Sequence, residues 1–307
     1  MKRRKFFQYA GLGSVSLALT AAVSSLASTQ TEGDSATALG IPLASFEFST
    51  VTVDKAGRLK QQQQLRAQFF PEHLPNTLLE MVAIPSGMSA AAGTSSHRRE
   101  KLSPFFISKY PITQSQWSAV AALPQVKRAL TRSPAHFHGD NFPMESVSWV
   151  EAVEFCDRLT QHTGRRYQLP SEAQWEYACR AGTQTPFHTG ETITSELADY
   201  VSTYTYKAEH AGDYRQSTLP VGEFPPNAFG LYDMHGNVWE WCADKWHTAH
   251  RRSPQQGQTW TTTQRVIKGG SWLDTPHKLR SASRSGYVET GLNRTIGFRV
   301  VAASASV

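Results

Sequence analysis

Two carboxylates flank a tight turn in the stretch Asp233-Met-His-Gly-Asn-Val-Trp-Glu240. The backbone carbonyls of Gly236 and Val238 fall between them. A hard cation such as calcium takes about six to eight oxygen ligands, supplied by carboxylates and backbone carbonyls alike. The spacing therefore suits a hard cation bound by one loop. The alternative is a hydrogen-bonded turn that holds no ion.

The chain has three cysteines, Cys156, Cys179 and Cys242, and no two of them have the spacing of a zinc motif. Metal binding by thiolates is therefore not expected. In an oxidising compartment two of the three could form a disulfide, although the spacing does not indicate which. The alternative is that they are buried apolar thiols, because Cys156 and Cys179 fall on the apolar faces of predicted helices.

Histidines offer a second kind of metal ligand, and His136 and His138 stand two residues apart, as on one face of a strand. The others considered, His162, His188 and His235, are scattered. Two histidines without a third ligand are typical of polar surface residues. The sequence also lacks a GxSxG elbow, an HExxH helix and a phosphate-binding glycine loop.

Three helices must position these groups, and their starts share one pattern. Thr113-Gln-Ser-Gln116, Ser148-Trp-Val-Glu151 and Ser171-Glu-Ala-Gln174 each place a hydroxyl three residues before Glu or Gln, which predicts a capping box. Phe46 to Val53 alternates like a strand, and Leu78 to Pro85 is an apolar strand stopped by proline. Beyond the third helix the sequence predicts short strands and long loops.

The organisation we predict is a signal segment over residues 1–29, a linker and N-terminal extension over 30–77, and a main domain over 78–303. The first segment has a basic start, an apolar run from Ala10 to Val23 and small residues that could be cleaved. The pair Arg3-Arg4 resembles a twin-arginine (Tat) signal, which implies export in a folded state to the periplasm or cell surface. The alternative is an uncleaved N-terminal anchor. No stable membrane span is expected in the mature chain.

The net charge does not predict a nucleic-acid partner. The formal charge is +6, and Lys2, Arg3, Arg4 and Lys5 supply four of these charges. No cluster of basic residues interleaved with aromatics occurs in the rest of the chain. Nucleic acid is therefore set aside as a partner.

Four ordered blocks resemble the formylglycine-generating-enzyme (sulfatase-modifying factor) family. They are Arg166 to Ala178, Asn227 to Trp241, Lys268-Gly-Gly-Ser-Trp272 and Ile296-Gly-Phe-Arg299. The resemblance implies an α+β, C-type-lectin-like fold with much irregular structure. It also implies structural calcium: Asp233, Gly236, Val238 and Glu240 match the family's second calcium site. A first site would draw on Asp199 and Tyr200, with Asp213 and Tyr214 following.

Catalysis is where the chain departs from the family, whose oxidases bind copper(I) with two cysteines just after the Gly-Gly-Ser-aromatic block. Asp274 stands where the first cysteine would be, and no cysteine follows Cys242. Carboxylate and imidazole do not replace a two-thiolate copper(I) site, so copper is not expected. The family's sulfoxide-synthase relatives use non-haem iron and a helical-bundle partner domain, and the segment before Leu78 is too short for that bundle.

The C-terminal frame, from Gly269-Gly-Ser-Trp272 to Arg299, also resembles the variable region of proteins diversified by retroelements. In such proteins the side chains between fixed positions change to alter the ligand. This mixture of small, aromatic and charged groups suits an adaptable binding surface, with Trp272 and Tyr287 as rigid anchors. The alternative is an ordinary loop-rich C-terminus. The candidate ligand-binding residues are Trp272, Leu273, Asp274, Thr275, His277, Lys278, Ser283, Ser285, Tyr287, Glu289 and Asn293.

The sequence therefore predicts an exported, non-catalytic binding or display protein on a calcium-supported scaffold. We expect a monomer that binds an unknown protein or small-molecule ligand. The alternative is a formylglycine-generating oxidase that acts on a cysteine of a sulfatase through a site not apparent in the sequence.

Overall fold

The computed structural model describes residues 41–89, 99–247 and 263–303. The predicted signal segment, and the linker up to residue 40, lie outside the described residues. No helix within the described ranges is long and apolar enough to cross a membrane.

Twelve strands, three α-helices and one short 3-10 helix form the described part of the chain. The strands are β1 (Ala44–Val53), β2 (Leu59–Leu74), β3 (Thr77–Ile84), β4 (Gly87–Met88), β5 (Lys101–Leu102), β6 (Phe105–Ser108), β7 (Tyr167–Gln168), β8 (Trp239–Lys245), β9 (Gln264–Lys268), β10 (Arg284–Val288), β11 (Ile296–Gly297) and β12 (Val301–Ala303). The helices are α1 (Gln114–Ala121), α2 (Trp149–Thr163), α3 (Glu172–Arg180) and the 3-10 helix (Pro276–Lys278).

Two main sheets carry the fold. The six-stranded sheet has the order β1-β2-β3-β6-β12-β7, and the four-stranded sheet has the order β10-β9-β8-β11. Strand β12, near the end of the domain, lies between β6 and β7 and pairs antiparallel with both. The C-terminal segment is thereby joined to the sheet that begins the domain.

The first sheet extends N-terminal to Leu78, where the sequence suggested that the domain begins. Strand β1 pairs along its whole length with the first part of β2, and β2 pairs with β3 from Phe69 to Leu74. Phe70 and Leu74 of β2 belong to the core. The residues from Ala44 onward are therefore part of the same sheet.

All three predicted capping boxes are confirmed. Thr113, Ser148 and Ser171 have extended backbone conformations, and each accepts a hydrogen bond from the amide three residues on. The side chain at that third position returns the bond to the cap amide. The predicted strands at Phe46 to Val53 and Leu78 to Pro85 are likewise confirmed as β1 and β3.

One core cluster holds α1 and α2 against the C-terminal segment. Trp117 of α1 stacks on Phe155 of α2, with ring centroids 5.7 Å apart. Phe298 packs edge-on against both rings. Contacts of this kind stabilise the fold beyond what the rings gain from removing their apolar area from water. They hold the chain that follows β11 in a fixed place.

From Ala181 to Val238 the chain has neither helix nor strand, apart from isolated bridges, as the sequence predicted. The strand suggested for His136 and His138 is wrong, because that segment is a loop. Its amides bond to side chains rather than to a neighbouring strand: Glu145 accepts from His136 and Phe137, at 2.5 and 2.9 Å. These loops supply most of the groups around the site.

Candidate functional site

A glycine pair turns the chain out of β9 at the start of the candidate site. Gly269 and Gly270 have φ values of +97° and +75°, which side chains other than glycine rarely adopt. A Cβ at Gly270 would also lie 2.7 Å from the side chain of Leu279. Beyond this turn, the Trp272 amide donates to the carbonyl of Asn237 at 3.0 Å. The turn is thereby fixed against the loop that precedes β8.

Asp274, two residues after the Gly-Gly-Ser-Trp block, is engaged in the turn itself. Its Oδ2 accepts from the Ser271 hydroxyl at 2.5 Å, from the Ser271 amide at 3.1 Å and from Trp239 Nε1 at 2.8 Å. The Asp274 amide donates back to the Ser271 carbonyl. The carboxylate therefore satisfies three donors and closes the turn.

The three cysteines are buried, and none of them forms a disulfide. Burial raises the pKa of the Cys179 thiol to about 12, and it also raises the pKa values of the Cys156 and Cys242 thiols well above their usual range. These thiols stay protonated at neutral pH, and only a thiolate is an effective nucleophile or metal ligand. The interpretation as buried apolar thiols is the one that fits the structure.

Trp272 lies under the surface rather than on it, since only 3% of the residue is exposed. The Arg294 guanidinium lies 5.3 Å from the centroid of its ring, and Tyr214 stacks at 6.4 Å. Phe137 packs edge-on at 5.4 Å. Trp272, which the sequence predicted to be an anchor on the binding surface, therefore supports the exposed groups around it from below.

The neighbours of Trp272 along the chain are exposed. Leu273 is 49% exposed, His277 and Lys278 are exposed, and Thr275 is half-buried. The His277 ring lies 4.9 Å from that of Tyr206. We call the surface formed by residues 272–280, Arg294, Tyr206 and Tyr214 the turn face.

Strand β10 carries a second group of predicted ligand-binding residues. Ser285 and Tyr287 are half-buried, and the Tyr287 ring lies 6.0 Å from that of the core residue Trp241. Glu289, just after the strand, forms an ion pair with Arg265 at 2.9 Å. Tyr287 thus packs partly on the core, and the Glu289 charge is already balanced.

The last two predicted residues serve the backbone. Ser283 is buried, and its hydroxyl donates to the His277 carbonyl at 2.9 Å. The Asn293 side-chain oxygen accepts from both the amide and the hydroxyl of Thr295. The structure therefore gathers Leu273, His277 and Lys278 on the turn face. The other predicted residues support this face or lie along β10.

In the predicted second calcium site, both carboxylate oxygens of Glu240 accept hydrogen bonds from protein donors. Its Oε2 accepts from Arg299 Nε at 2.6 Å and from Trp175 Nε1 at 2.5 Å, and its Oε1 accepts from Arg299 Nη2 at 2.9 Å. Both side chains of the ion pair are completely buried. A calcium ion at Glu240 would face a guanidinium that already neutralises the carboxylate. Glu240 therefore does not fit a calcium ligand.

Asp199 and Asp233 show the opposite situation. Both oxygens of Asp199 and Oδ1 of Asp233 are buried without a hydrogen-bond partner in the described part of the chain. Asp233 Oδ2 accepts from the Gly222 amide at 2.7 Å, and Arg215 Nη1 lies 3.7 Å from Asp199 Oδ1. Burial raises the pKa of each carboxyl to about 7. Orphaned buried carboxylate oxygens fit a hard cation.

Further oxygens are orphaned in the same loops. The hydroxyls of Ser202 and Thr218 are buried without a partner in the described ranges. The backbone of Gly236 forms a bridge with Asp199, so the two predicted calcium loops are adjacent. The Tyr200 hydroxyl, in contrast, donates to the Ile193 carbonyl at 3.0 Å, and Asp213 is exposed.

No group of three or more His, Cys, Asp or Glu side chains in the described residues is placed to hold a metal ion. A cation at Asp199 or Asp233 would therefore need backbone carbonyls, hydroxyls or water for its remaining ligands.

A buried pair of histidines lies beside this region. The rings of His188 and His235 stack with centroids 4.9 Å apart. The His235 Nε2 atom accepts from the His188 amide at 3.0 Å, and its Nδ1 lies 2.6 Å from the Leu279 carbonyl. Both bonds require neutral His235 with the proton on Nδ1. Burial lowers the pKa of His235 to about 4 and that of His188 well below its usual value.

The sequence reasoning assigned no role to Trp239, Ser271, Arg215 or Arg299. Trp239, Ser271 and Arg299 lie in the blocks that resemble the family. The blocks indicated that these residues are important, but they did not indicate the hydrogen-bond partners. No sequence pattern predicted the position of Arg215, because an irregular loop brings it close to Asp199.

The fold and the Gly-Gly-Ser-Trp turn are those of a sulfatase-modifying-factor type of domain with an α+β, C-type-lectin-like fold. The chain belongs to this family: the Sulfatase-modifying factor enzyme 1-like domain matches residues 67–304. Two structures support the fold. PvdO from Pseudomonas aeruginosa is 29% identical with a TM-score of 0.60, covering 76% of this chain and 98% of that one. Treponema denticola variable protein 1 is 22% identical with a TM-score of 0.60, covering 76% and 99%.

Among curated relatives, the mouse formylglycine-generating enzyme is 36% identical over 202 residues, which cover 60% of this chain and 52% of the mouse protein. The bovine protein named inactive C-alpha-formylglycine-generating enzyme 2 is 32% identical over 199 residues, covering 61% and 60%. Chaperone protein LppX of Paenibacillus barcinonensis is 29% identical over 266 residues, covering 72% and 89%. The chain thus spans little more than half the length of the formylglycine-generating relatives.

Proposed function

We propose that the protein is a non-catalytic, ligand-binding member of the family, in which the turn face receives the ligand. The observation that carries this proposal is the state of Asp274. Its carboxylate closes the turn by satisfying Ser271 and Trp239, at the position where the family's oxidases place a cysteine. The three thiols of the chain are buried elsewhere and protonated, so they do not replace that cysteine.

Relatives with a similar degree of identity include both an enzyme and a protein named inactive. Family membership alone therefore leaves both functions open. The residues of the turn favour binding over oxidation because copper(I) prefers soft thiolate ligands, whereas the turn offers a carboxylate that is already hydrogen-bonded.

The second candidate is a formylglycine-generating oxidase, which the 36% identity to the mouse enzyme favours. The experiment that separates the two supplies the anaerobically purified protein with copper(I), and then with oxygen and a cysteine-containing sulfatase peptide. We expect neither stoichiometric copper binding nor an aldehyde product. A known formylglycine-generating enzyme treated in the same way is the positive control. Aldehyde formation by this protein above the uncatalysed background would refute the proposal.

We also propose that a calcium ion supports the scaffold at the orphaned oxygens of Asp199 and Asp233, without Glu240. When bound, the ion would supply positive charge to two buried carboxylates. Arg299 supplies it to Glu240 instead. This arrangement replaces the two calcium sites that the resemblance implied.

Export by the twin-arginine route is part of the proposal and is tested in cells. Changing Arg3 and Arg4 to lysine should retain the protein in the cytoplasmic fraction, because that route requires the arginine pair. Changing Arg58, which is outside the leader, is the control. Export of the lysine variant at the level of the control would contradict the assignment.

Diversification by a retroelement is tested by the gene's surroundings. It predicts a near-copy of the sequence encoding 269–299 beside a reverse-transcriptase gene. If neither is present, the turn face has a fixed ligand.

A further inference from the structure

A cleft of about 200 Å³ opens between α2 and the loop that follows α1. Its apolar wall is formed by Trp149, Val150 and Val153 of the helix, which are all half-buried. Val153 is three residues from Val150 and four from Trp149, so the three lie along one side of the helix. Lys127 and Arg128 line the cleft from the loop. The cleft shares no residue with the turn face.

A buried ion pair of α2 holds the loop in place. Arg158 Nε and Glu154 Oε1 are 2.8 Å apart, and both side chains are buried. The Glu154 carboxylate accepts from the three consecutive amides of residues 126 to 128, at 2.8 to 3.2 Å. Arg158 Nη2 donates to the Arg128 carbonyl at 2.6 Å. These bonds use the backbone of the loop, so the cleft is formed without help from the side chains of Lys127 and Arg128.

Trp149 is also fixed on the helix side of the cleft. Its Nε1 atom donates to the Cys242 carbonyl at 2.9 Å, and the Arg265 guanidinium lies 3.7 Å from the centroid of the ring. Because the indole N–H is already used, the ring offers apolar surface to the cleft rather than a donor. Together with the two valines it forms a fixed apolar wall, which suits a ring or a branched chain.

The charges in and around the cleft leave one cation unbalanced. The other charged residues that line the cleft or bond to its lining form three ion pairs, at 2.8 to 2.9 Å: Glu154 with Arg158, Asp157 with Lys127, and Glu289 with Arg265. Arg128 is exposed, and no carboxylate in the described part of the chain forms an ion pair with it. The net charge of this set is therefore +1, and it belongs to a residue that lines the cleft.

We propose that this cleft binds a small monocarboxylate with an aromatic or branched apolar body, whose carboxylate contacts Arg128 and whose apolar body contacts Trp149 and Val153. A guanidinium can donate two parallel N–H bonds to a carboxylate. Pockets for drug-sized ligands begin at roughly 300 Å³, so this smaller cleft suits a ligand of about one ring. A single unbalanced cation selects a monoanion over a neutral or cationic ligand.

The test titrates the full chain into 4-fluorophenylacetate, or into its neutral analogue 4-fluorophenylacetamide, and follows the fluorine NMR signal of each probe. The carboxylate should bind at least about tenfold more tightly than the amide, and added salt should weaken the binding of the carboxylate alone. Acetate, which lacks the apolar body, should not displace the carboxylate probe at equal concentration.

Two variants separate the cation from the apolar wall. Arg128→Gln should weaken the binding of 4-fluorophenylacetate at least about tenfold and leave that of the amide unchanged. Val153→Phe should fill the cleft and abolish the binding of both probes. Arg132→Gln is the matched control, because it removes an exposed arginine of the same loop that does not line the cleft, and it should have no effect.

Equal binding of the two probes, no binding of the carboxylate, or an equal loss in Arg132→Gln would overturn the inference. Binding of a short peptide ending in phenylalanine about tenfold more tightly than the carboxylate probe would overturn it as well, because the cleft would then receive a protein terminus. Circular dichroism of each variant shows whether a loss of binding is a loss of folding. None of these results bears on the proposed function, because the turn face and the aldehyde assay involve other residues.

Discussion

Replacing Arg299 by methionine would leave Glu240 buried without its counter-charge. In the native protein the guanidinium donates twice to Glu240 and once each to the carbonyls of Ser108 and Tyr232. Removing one partner of a fully buried ion pair costs about 3 to 5 kcal/mol, because the remaining charge stays desolvated. Natural domains have about 5 to 15 kcal/mol of stability in total. The variant should therefore be severely destabilised.

Urea unfolding followed by circular dichroism measures the loss, in the presence of calcium and in EDTA. A double-mutant cycle with Glu240→Gln isolates the pair: glutamine keeps an acceptor for Trp175 and removes the buried charge. The double variant should be more stable than the sum of the single losses implies, by at least about 2 kcal/mol. Arg58→Met, which removes an exposed ion pair with Asp54, should leave the unfolding midpoint unchanged.

A loss of less than about 1 kcal/mol in Arg299→Met, together with the loss of calcium stabilisation in Glu240→Gln, would contradict the pairing of Glu240 with Arg299. That result would identify Glu240 as a calcium ligand rather than the partner of Arg299. If the two variants instead unfold with the same sensitivity to calcium as the native chain, Glu240 lies outside the ion's ligands.

Three further predictions address the same region. Asp233→Asn should raise the melting temperature in EDTA at pH 8, where burial of the native charge is unfavourable, and should abolish stabilisation by calcium; the native φ of 56° suits asparagine. A lower melting temperature in EDTA would contradict this. His235 is neutral when folded and takes up a proton on unfolding below pH 6.5, so its contribution to stability is lost as the pH falls from 6.5 to about 4. The free energy of unfolding of the native chain should therefore fall more steeply over this range than that of His235→Gln, by roughly 3 kcal/mol in total. Parallel curves for the two proteins would exclude a contribution of His235 to the pH dependence. Asp274→Ala should cost about 1 to 3 kcal/mol in urea unfolding, because the Trp239 indole and the Ser271 donors lose their acceptor; an unchanged midpoint would show that water replaces it.

Local sequence patterns predicted the elements of this fold well. The three capping boxes involve residues three apart, so the spacing contains the whole interaction. The strand β1 was also visible as an alternation. Its membership in the main sheet was not, because pairing with β2 depends on contacts that alternation does not specify.

The site could be predicted only in part, because its decisive bonds join distant segments. Glu240 and Arg299 are 59 residues apart, and Trp239 and Asp274 are 35 apart. The spacing of Asp233 and Glu240 fits a calcium loop equally well whether or not an arginine arrives from elsewhere. Likewise, the sequence presented Trp272 as a surface anchor, whereas the packing of Phe137 and Tyr214 buries it.

The hydrogen bonds of Asp274 also bear on the proposed binding function. A carboxylate at Asp274 holds Ser271 and Trp239 in place, which fixes the backbone of the turn through its own side chain. A rigid turn places Leu273 and the 3-10 helix at the surface with little freedom to lose on binding, and groups that are fixed in advance bind with a smaller entropic cost. The residue that excludes a thiolate from this position is therefore also the one that holds the exposed side chains in place for recognition.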